Sequence, residues 1–328
     1  MKKLISLVLI VCMLVSAACA ALAETAGYPV EVTDQAGRTV TLVQEPQRIV
    51  SGYYISTSAL IALGLTDRIV GVEAKADKRA IYKFSAPQLI ELPNVGTAKE
   101  FNLEGCLALE PELVILPMKL KSAAETLEQM GIPVLLVNPE SETELKDMLA
   151  LLAAAANAQE RADALTGFMA AQEAFLTGIT GEKPSVYLAG NSALLSTAGE
   201  AMYQSHMIDL AGGVNAAAEL TDTYWAEVSY EQLLAWDPDY IVLASDAAYT
   251  VDEVLADPNL ADCRAVANGH VVQIPGKAEA WDSPVPSGIL GSVWLSSVLH
   301  PDEVSVAYAC ETIDAFYSDF YGFVYSEK

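Results

Sequence analysis

Basic residues, histidines and cysteines are all scarce in this sequence. Only 18 of its 328 residues are Lys or Arg, against 43 Asp and Glu, which gives a formal net charge of -25. Nucleic-acid binding depends largely on Lys and Arg side chains that neutralise phosphates, and the sequence contains no basic cluster. A nucleic-acid partner is therefore excluded.

The three histidines are too few for high-affinity capture of a bare Zn or Mn ion, since such sites usually combine several His with Asp or Glu. No intrinsic metal site is predicted. Two of the five cysteines, Cys12 and Cys19, lie in the N-terminal apolar segment. The other three, Cys106, Cys263 and Cys310, lack metal-ligand spacing, so buried free thiols with at most one disulfide are expected.

Long apolar runs are missing after the N-terminus. Residues 1–23 combine two lysines, an apolar run and small residues, which is typical of a secretory signal peptide. No later segment offers the roughly 20 apolar residues of a membrane-spanning helix. The protein is therefore predicted to be exported, either as a periplasmic protein or as a cell-surface lipoprotein. Two processing routes stay open: cleavage after Ala23, and lipidation at Cys19 in the imperfect lipoprotein box that begins at Ser16.

Recognisable catalytic motifs are also missing. The sequence has no G-x-S-x-G elbow, no G-x-G-x-x-G after a strand, no Walker loop and no H-E-x-x-H. Sequence spacing alone does not exclude a pair of glycosidase carboxylates, but no such pair is recognisable. The protein is predicted not to be an enzyme.

The chain does contain two series of alternating strands and helices with apolar strands, the pattern of parallel sheets covered on both faces. A hairpin in VEVTDQAGRTVTL precedes the first series, and the second begins after Pro184. A chain of this length usually forms more than one hydrophobic core. The predicted fold class is therefore α/β, with two Rossmann-like lobes of mostly parallel sheet joined by one long rigid helix.

The joining helix is predicted in the segment between the two series, which is built largely of strong helix formers. Asn157 followed by Glu160 resembles a capping box, so we expect a helix over residues 158–177, about 30 Å long. A long surface helix within one domain is the alternative. The predicted division is a signal peptide at 1–23, an N-terminal lobe at 24–156, a linker helix at 157–180, and a C-terminal lobe with a terminal helix at 181–328.

Two segments, NLEGCLALEPELVIL and SYEQLLAWDPDYIVL, follow one pattern. Each has a helix-capping residue, a glutamate two positions later, an apolar run, an acid-Pro-acid triplet and a buried strand. Glu104 and Glu231, whose numbers differ by 127, occupy matching places in the two segments. Negative charge is favourable near a helix N-terminus, and that local effect alone could account for both glutamates.

These segments, together with DQAGRTVTLVQEPQRIVS, ALGLTDRIVGVEA, LAGGVNAA and WDSPVPSGILGSVWLSSVLHP, resemble the class III substrate-binding proteins of ABC importers from about Val30 to the C-terminus. That family captures iron-siderophores, haem, cobalamin and some metal ions or oxyanions outside the membrane. The resemblance implies a monomer that has no intrinsic cofactor and whose partner is an ABC permease dimer with its ATPase. It also implies that Glu104 and Glu231 dock onto arginines of that permease.

Ligands of open α/β sheets gather beyond the C-terminal ends of the strands. Residues expected there include aromatic rings and cations, and we predict that the ligand-binding residues are Tyr53, Tyr54, Lys75, Arg79, Lys99, Asn191, Tyr224, Trp225 and Trp281. Both tryptophans are expected in the cleft because the family places aromatic ligand contacts near these positions. A solvated charged loop is an equal alternative for Lys75 and Arg79.

An anionic metal chelate would suit this mixture, because aromatic faces bind flat organic surfaces and Lys or Arg binds carboxylate, catecholate or hydroxamate oxygens. The predicted ligand is therefore an iron chelate (siderophore), haem or a corrinoid. A metal-ion or oxyanion carrier, and an exported binding module that serves a sensor, are the alternatives. His206 could ligate haem iron, although packing is the commoner role for a single His. Members of the family often carry a large ligand-contacting residue where this sequence has Ala98. The ligand of any one relative therefore cannot be assigned to this protein from the resemblance.

Overall fold

The computed structural model describes residues 27–221 and 225–328. The predicted signal peptide and the lipidation site at Cys19 lie outside the described residues. The N-terminal hairpin is confirmed: strands β1 (Val30–Thr33) and β2 (Thr39–Leu42) pair antiparallel. Gly37 in its turn has φ 75, a left-handed conformation that suits glycine. No helix in the described ranges is long and apolar enough to cross a membrane.

The first lobe contains a four-stranded parallel sheet in the order β4-β3-β5-β6. Every residue of the β5 and β6 strands is buried, as their continuous apolar sequence predicts for a sheet covered on both faces. The strands are β3 (Ile49–Ser51), β4 (Ile69–Gly71), β5 (Leu113–Pro117) and β6 (Val134–Val137), and the helices are α1 (Tyr54–Ala62), α2 (Ala80–Ser85), α3 (Leu103–Leu107) and α4 (Lys121–Gln129).

Two helices, α5 (Glu142–Ala156) and α6 (Gln159–Leu176), separate the two sheets along the chain. The predicted capping box is wrong. Asn157 ends α5 in a left-handed conformation with φ 54, and α6 begins after Ala158, whose side chain makes no capping hydrogen bond. Asn tolerates this conformation better than most residues, so the same residue that can cap a helix start here terminates the preceding helix.

The second lobe contains a six-stranded sheet in the order β10-β8-β7-β11-β12, with β9 also paired to β7. Strands β7, β9, β11 and β12 are parallel, whereas β8 and β10 run antiparallel to their neighbours and were not predicted. The strands are β7 (Ser185–Ala189), β8 (Ser196–Ala198), β9 (Val214–Asn215), β10 (Trp225–Glu227), β11 (Tyr240–Leu243) and β12 (Val271–Gln273), and the helices are α7 (Tyr203–Leu210), α8 (Tyr230–Trp236), α9 (Val251–Leu255) and α10 (Arg264–Ala267).

The C-terminal helices α11 (Ile289–Leu299) and α12 (Val306–Tyr321) return the chain to the first lobe. The hydroxyls of Tyr321 and Ser58 lie 2.8 Å apart, and the Ser85 hydroxyl donates to the Tyr321 carbonyl at 2.7 Å. The sequence pattern places this helix in the C-terminal lobe at 181–328, and its contacts extend to the first lobe. The α12 contacts therefore add a second connection between the lobes beside α6.

The repeated pattern extends to the backbone. Asn102 and Ser229 cap α3 and α8 with their side chains, accepting from the backbone amides of Gly105 and Gln232. At the same offset, Glu110 and Asp237 both have left-handed φ values, 47 and 42. The two segments therefore fold alike, each placing a capped helix before a central strand of its sheet.

Candidate functional site

A cavity of about 370 Å³ lies between the lobes, at the carboxyl ends of the strands. Asn191 and Ser245 follow β7 and β11 by two residues, which is where ligands collect in open α/β sheets. We call this cavity the cleft. Its polar and aromatic lining from both lobes includes Tyr54, Lys78, Arg79, Asn191, Gln204, Trp225, Ser245, Asp246, Glu279, Asp282 and Ser283.

Lys78 and Arg79 both line the cleft, and Arg79 is the more buried of the two cations. Its guanidinium carbon lies 4.2 Å from the centre of the Tyr54 ring, within the range of a cation–π contact. Its Nε atom is buried without a hydrogen-bond partner among the described residues, 4.0 Å from Oε1 of Glu73. Burial raises the pKa of Tyr54, although the charge of Arg79 opposes that rise. Arg79 therefore retains an unused donor where the lobes meet.

Glu73 beside Arg79 is held by two hydroxyls. Thr57 Oγ1 donates to its Oε2 at 2.8 Å, and the Tyr82 hydroxyl donates to its Oε1 at 2.7 Å. Burial raises the pKa of Glu73, and these two hydrogen bonds oppose the rise. Each oxygen of Glu73 thus accepts one hydroxyl hydrogen bond, and Arg79 Nε is 4.0 Å away, too far to make another.

Two further buried carboxyls line the cleft. Glu279 accepts from the Ser287 hydroxyl and Asp282 from the Ser245 hydroxyl, both at 2.7 Å. Burial raises the pKa of each carboxyl above its usual value. Burial disfavours the charged forms of both acids, and a serine hydroxyl donates to each of them.

Only some of the predicted ligand-binding residues line a cavity between the lobes. Tyr54, Arg79, Asn191 and Trp225 line the cleft, and Tyr53 lines a smaller adjacent cavity. The other exposed candidates, Lys75 and Lys99, line neither of these cavities, and Tyr224 lies outside the described residues.

Trp225 closes the cleft from the second lobe. The residue is 41% exposed, and strand β10 holds it opposite Ala198 of β8. Its ring packs on Gly190: a Cβ atom added to that glycine would lie 2.9 Å from Cζ3 of the indole. Only glycine at position 190 therefore allows this close approach of the ring.

The prediction that Trp281 lines the cleft is wrong. The side chain is fully buried, and its Nε1 donates to the Tyr317 hydroxyl of α12 at 2.8 Å. Its ring also packs against Tyr325, with centroids 5.2 Å apart. Trp281 is therefore part of the core that attaches the C-terminal helix.

Replacing Trp281 with alanine is expected to lower the free energy of unfolding by about 3–5 kcal/mol, the usual cost of truncating a large buried aromatic residue. Trp225→Ala should cost less stability, because this residue is 41% exposed, and should weaken ligand binding. Urea unfolding and ligand titration of both variants check this pair of expectations. An equally stable Trp281→Ala protein would show that the indole is not a core side chain.

His206 is engaged by a carboxylate and does not line the cleft. Its Nε2 pairs with Oε2 of Glu142. The Lys146 ammonium lies 2.8 Å from the other oxygen of Glu142, Oε1, and 2.5 Å from Oε1 of Glu173. These side chains come from α7, α5 and α6. The Glu142 bond raises the pKa of His206, while Asp209 and Glu173 act in the same direction. The arrangement is an ion-pair network between helices, and it occupies the His206 nitrogen that a haem iron would need.

The raised pKa of His206 predicts a pH-dependent contribution to stability. The protonated imidazole stabilises the fold fully below its unfolded pKa of about 6.5, and this contribution is lost as pH rises through the higher folded pKa. His206→Gln should therefore destabilise the protein more at pH 5.5 than at pH 9. The difference should stay under about 1 kcal/mol because the His206 side chain is half exposed. Urea unfolding at both pH values measures it, and a cost independent of pH would contradict the charged pair.

The described residues contain no group of three or more His, Cys, Asp or Glu side chains placed to hold a metal ion. Cys106, Cys263 and Cys310 are all free thiols; the first two are buried and the third is exposed. Burial raises the pKa of the Cys106 thiol to about 11, which keeps it protonated at neutral pH. The cleft therefore offers aromatic rings, cations and polar side chains that can bind a ligand.

Glu104 and Glu231 are both exposed, one near the start of α3 and the other near the start of α8. A backbone hydrogen bond at the helix start and the Ser229 hydroxyl lower the pKa of Glu231. Both lobes therefore present a glutamate at the same place in the repeated segment.

Two α/β lobes with a ligand-sized cavity between them suit a solute-binding protein. Residues 49–278 match the family described as periplasmic binding protein, and the chain belongs to that family. This result confirms the resemblance seen in the sequence. The relatives are solute-binding proteins and not enzymes, and what they bind is carried rather than kept as a cofactor.

Several relatives are similar over most of their length. The molybdate-binding protein MolA of Haemophilus influenzae is 28% identical, over 95% of each chain. An ABC transporter substrate-binding lipoprotein of Bacillus subtilis, YvrC, is 28% identical over 67% of this chain and 70% of its own. The crystal structure of a periplasmic solute-binding protein from Veillonella parvula superposes with a TM-score of 0.79 at 26% identity, covering 90% of this chain and 93% of the other.

Proposed function

We propose that this protein is the extracytoplasmic binding component of an ABC importer and that it captures a compact anionic metal chelate in the cleft between its lobes. The observation that carries the proposal is Arg79, whose guanidinium is stacked on Tyr54 and whose buried Nε lacks a partner among the described residues. A cation with a free donor beside an aromatic face suits a ligand that presents both negative oxygens and a flat organic surface.

The size of the cleft favours a compact ligand within this class. Its volume of about 370 Å³ is near the lower end of the range for small-molecule sites, roughly 300–1,000 Å³. A siderophore-type iron chelate with few arms fits that volume better than a corrinoid. Haem is disfavoured further because His206 is committed to Glu142.

An oxyanion such as molybdate is the second candidate. The similarity to the molybdate-binding MolA extends over 95% of each chain, and this observation favours it. The aromatic faces of Tyr54 and Trp225 in the lining suit a small inorganic ion less well than an organic chelate.

Delivery to the permease is the second part of the proposal. Glu104 and Glu231 would contact arginines on the two halves of a permease dimer, since two similar lobes suit a two-fold partner. Residues 24–156 and 181–328 would act as lobes about the linker helix at 157–180. The two connections, through α6 and α12, would keep their closure small.

Export is proposed on the N-terminal sequence, with either cleavage after Ala23 or lipid attachment at Cys19. The similarity to the lipoprotein YvrC supports the second route. Mass spectrometry of the mature protein separates the two, because only lipidation adds acyl chains to a new N-terminal cysteine.

Tryptophan-fluorescence titration of the mature protein tests the proposed ligand class. The panel comprises ferric catecholate and hydroxamate complexes, haem, cobalamin, molybdate and free divalent metals. Saturable quenching by an anionic ferric complex is expected, with Trp225 at the cleft as the reporter. A response to molybdate alone would replace the chelate with an oxyanion, and binding of cobalamin or haem alone would overturn the compact-ligand proposal.

A further inference from the structure

A second cavity of about 170 Å³ adjoins the cleft. The two cavities share Tyr54, Gln204 and Trp225, which therefore form the boundary between them. Apart from this boundary and Glu140, the second cavity is lined by aromatic and apolar residues from both lobes, namely Tyr53, Ile55, Pro139, Met202, Tyr203 and Pro284. Its chemistry suits an aryl or apolar group, unlike the charged lining of the cleft.

Gln204 at this boundary has a fixed amide with an unused acceptor. The residue is only 7% exposed, and its Nε2 donates to the Asp282 carbonyl at 2.7 Å. That bond sets the orientation of the amide, because a rotated amide would bring its oxygen against the carbonyl oxygen. The Oε1 atom is buried with no hydrogen-bond partner among the residues that the structure describes.

A buried acceptor without a partner carries a free-energy cost that a ligand donor relieves. Arg79 and Gln204 therefore make opposite demands on a ligand: the first needs an acceptor and the second needs a donor. A deprotonated tetrahedral oxyanion offers only acceptors, so it satisfies Arg79 and leaves Gln204 unmatched. A chelate whose arm contains an amide N–H or a hydroxyl satisfies both.

We propose that the ligand spans both cavities and donates a hydrogen bond to Gln204 Oε1 at their junction. The anionic metal-binding part lies in the cleft beside Arg79, and an aryl or apolar arm enters the second cavity. This inference rests on the proposed function and narrows its ligand class to chelates whose arm carries an N–H or O–H group. It makes Gln204 a specificity-determining residue.

The test compares two ferric complexes, those of 2,3-dihydroxybenzamide and of its N,N-dimethyl derivative, which lacks the amide N–H. The wild-type protein should bind the N–H complex about tenfold more tightly, as expected for one hydrogen bond to a buried acceptor. In Gln204→Met the ratio of the affinities for the two complexes should fall to about one. The added methyl groups could weaken binding by bulk alone, but such an effect would persist in the variant, so the double-mutant comparison separates bulk from hydrogen bonding.

Gln129→Met, at an exposed site on α4, is the matched control and should keep the wild-type preference. If Gln204→Met is unstable, Gln204→Asn withdraws the amide oxygen by one methylene and serves the same purpose. An equal preference in the wild type and the Gln204 variant, or no preference in the wild type, would overturn the inference alone. Failure of both ferric complexes to bind the wild type would overturn the proposed function and the inference with it.

Discussion

Arg79→Gln is expected to weaken the binding of an anionic ferric catecholate complex by about a hundredfold. The change removes charge-assisted hydrogen bonds, worth roughly 1.5–3 kcal/mol, and it removes the positive charge that faces the ligand. It also removes the positive charge that lowers the pKa of Glu73 and Glu279, so thermal unfolding of the variant should be measured beside its affinity. Tryptophan-fluorescence titration gives the affinity.

Lys75→Gln and Lys99→Gln are the matched controls for this prediction. Each removes one positive charge from an exposed site that does not line the cleft. Both should retain wild-type affinity. The affinity of Arg79→Lys should lie between those of the wild type and Arg79→Gln, because lysine keeps the charge and loses the planar fork of donors. Wild-type affinity in Arg79→Gln would refute the role of this residue.

Combining Glu104→Arg with Glu231→Arg should reduce transport to background and leave ligand affinity unchanged. The exchange puts positive charge where the proposed permease arginines approach, and like charges at an interface are strongly unfavourable. Both glutamates are exposed and lie away from the cleft lining, so the site itself is preserved. Uptake of labelled iron chelate by cells that carry the cognate transporter measures the effect.

The control for the docking prediction is Glu125→Arg with Asp262→Arg. It makes the same change in net charge at one exposed acidic residue of each lobe, on faces outside the repeated segments. This control should transport normally, which would separate docking from overall charge. Normal uptake by the Glu104 and Glu231 variant would rule out the docking role of the two residues.

The β/α alternation in the sequence predicted most of the fold because strands buried on both faces leave a continuous apolar signature. The antiparallel β8 and β10 were missed because each is only three residues long. β10 has no buried residue, and such a short strand carries no apolar run to distinguish it from a loop. The contact of α12 with the first lobe could not be predicted from the hydrophobic pattern either. An amphipathic pattern shows that one face of a helix is buried, but not which surface covers that face.

The site was harder to predict because side-chain direction depends on backbone conformation. Lys75 and Arg79 belong to one basic loop, yet only Arg79 lines the cleft, and Lys75 has a left-handed backbone with φ 70. Trp281 lies in the loop after β12, and Trp225 is the first residue of β10. Tertiary packing buries the first and leaves the second exposed. Gln204 carried no signal, because a polar residue in a short helix is usually solvated.

Anomalous diffraction from crystals grown with a ferric catecholate complex would show where the ligand binds, because it locates the iron without assumptions about the ligand's pose. We expect one iron in the cleft between the lobes, with a ligand oxygen within hydrogen-bond distance of Arg79 and an arm directed past Gln204. Iron bound only outside the cleft, or a cleft that stays without iron at saturating complex, would contradict this expectation.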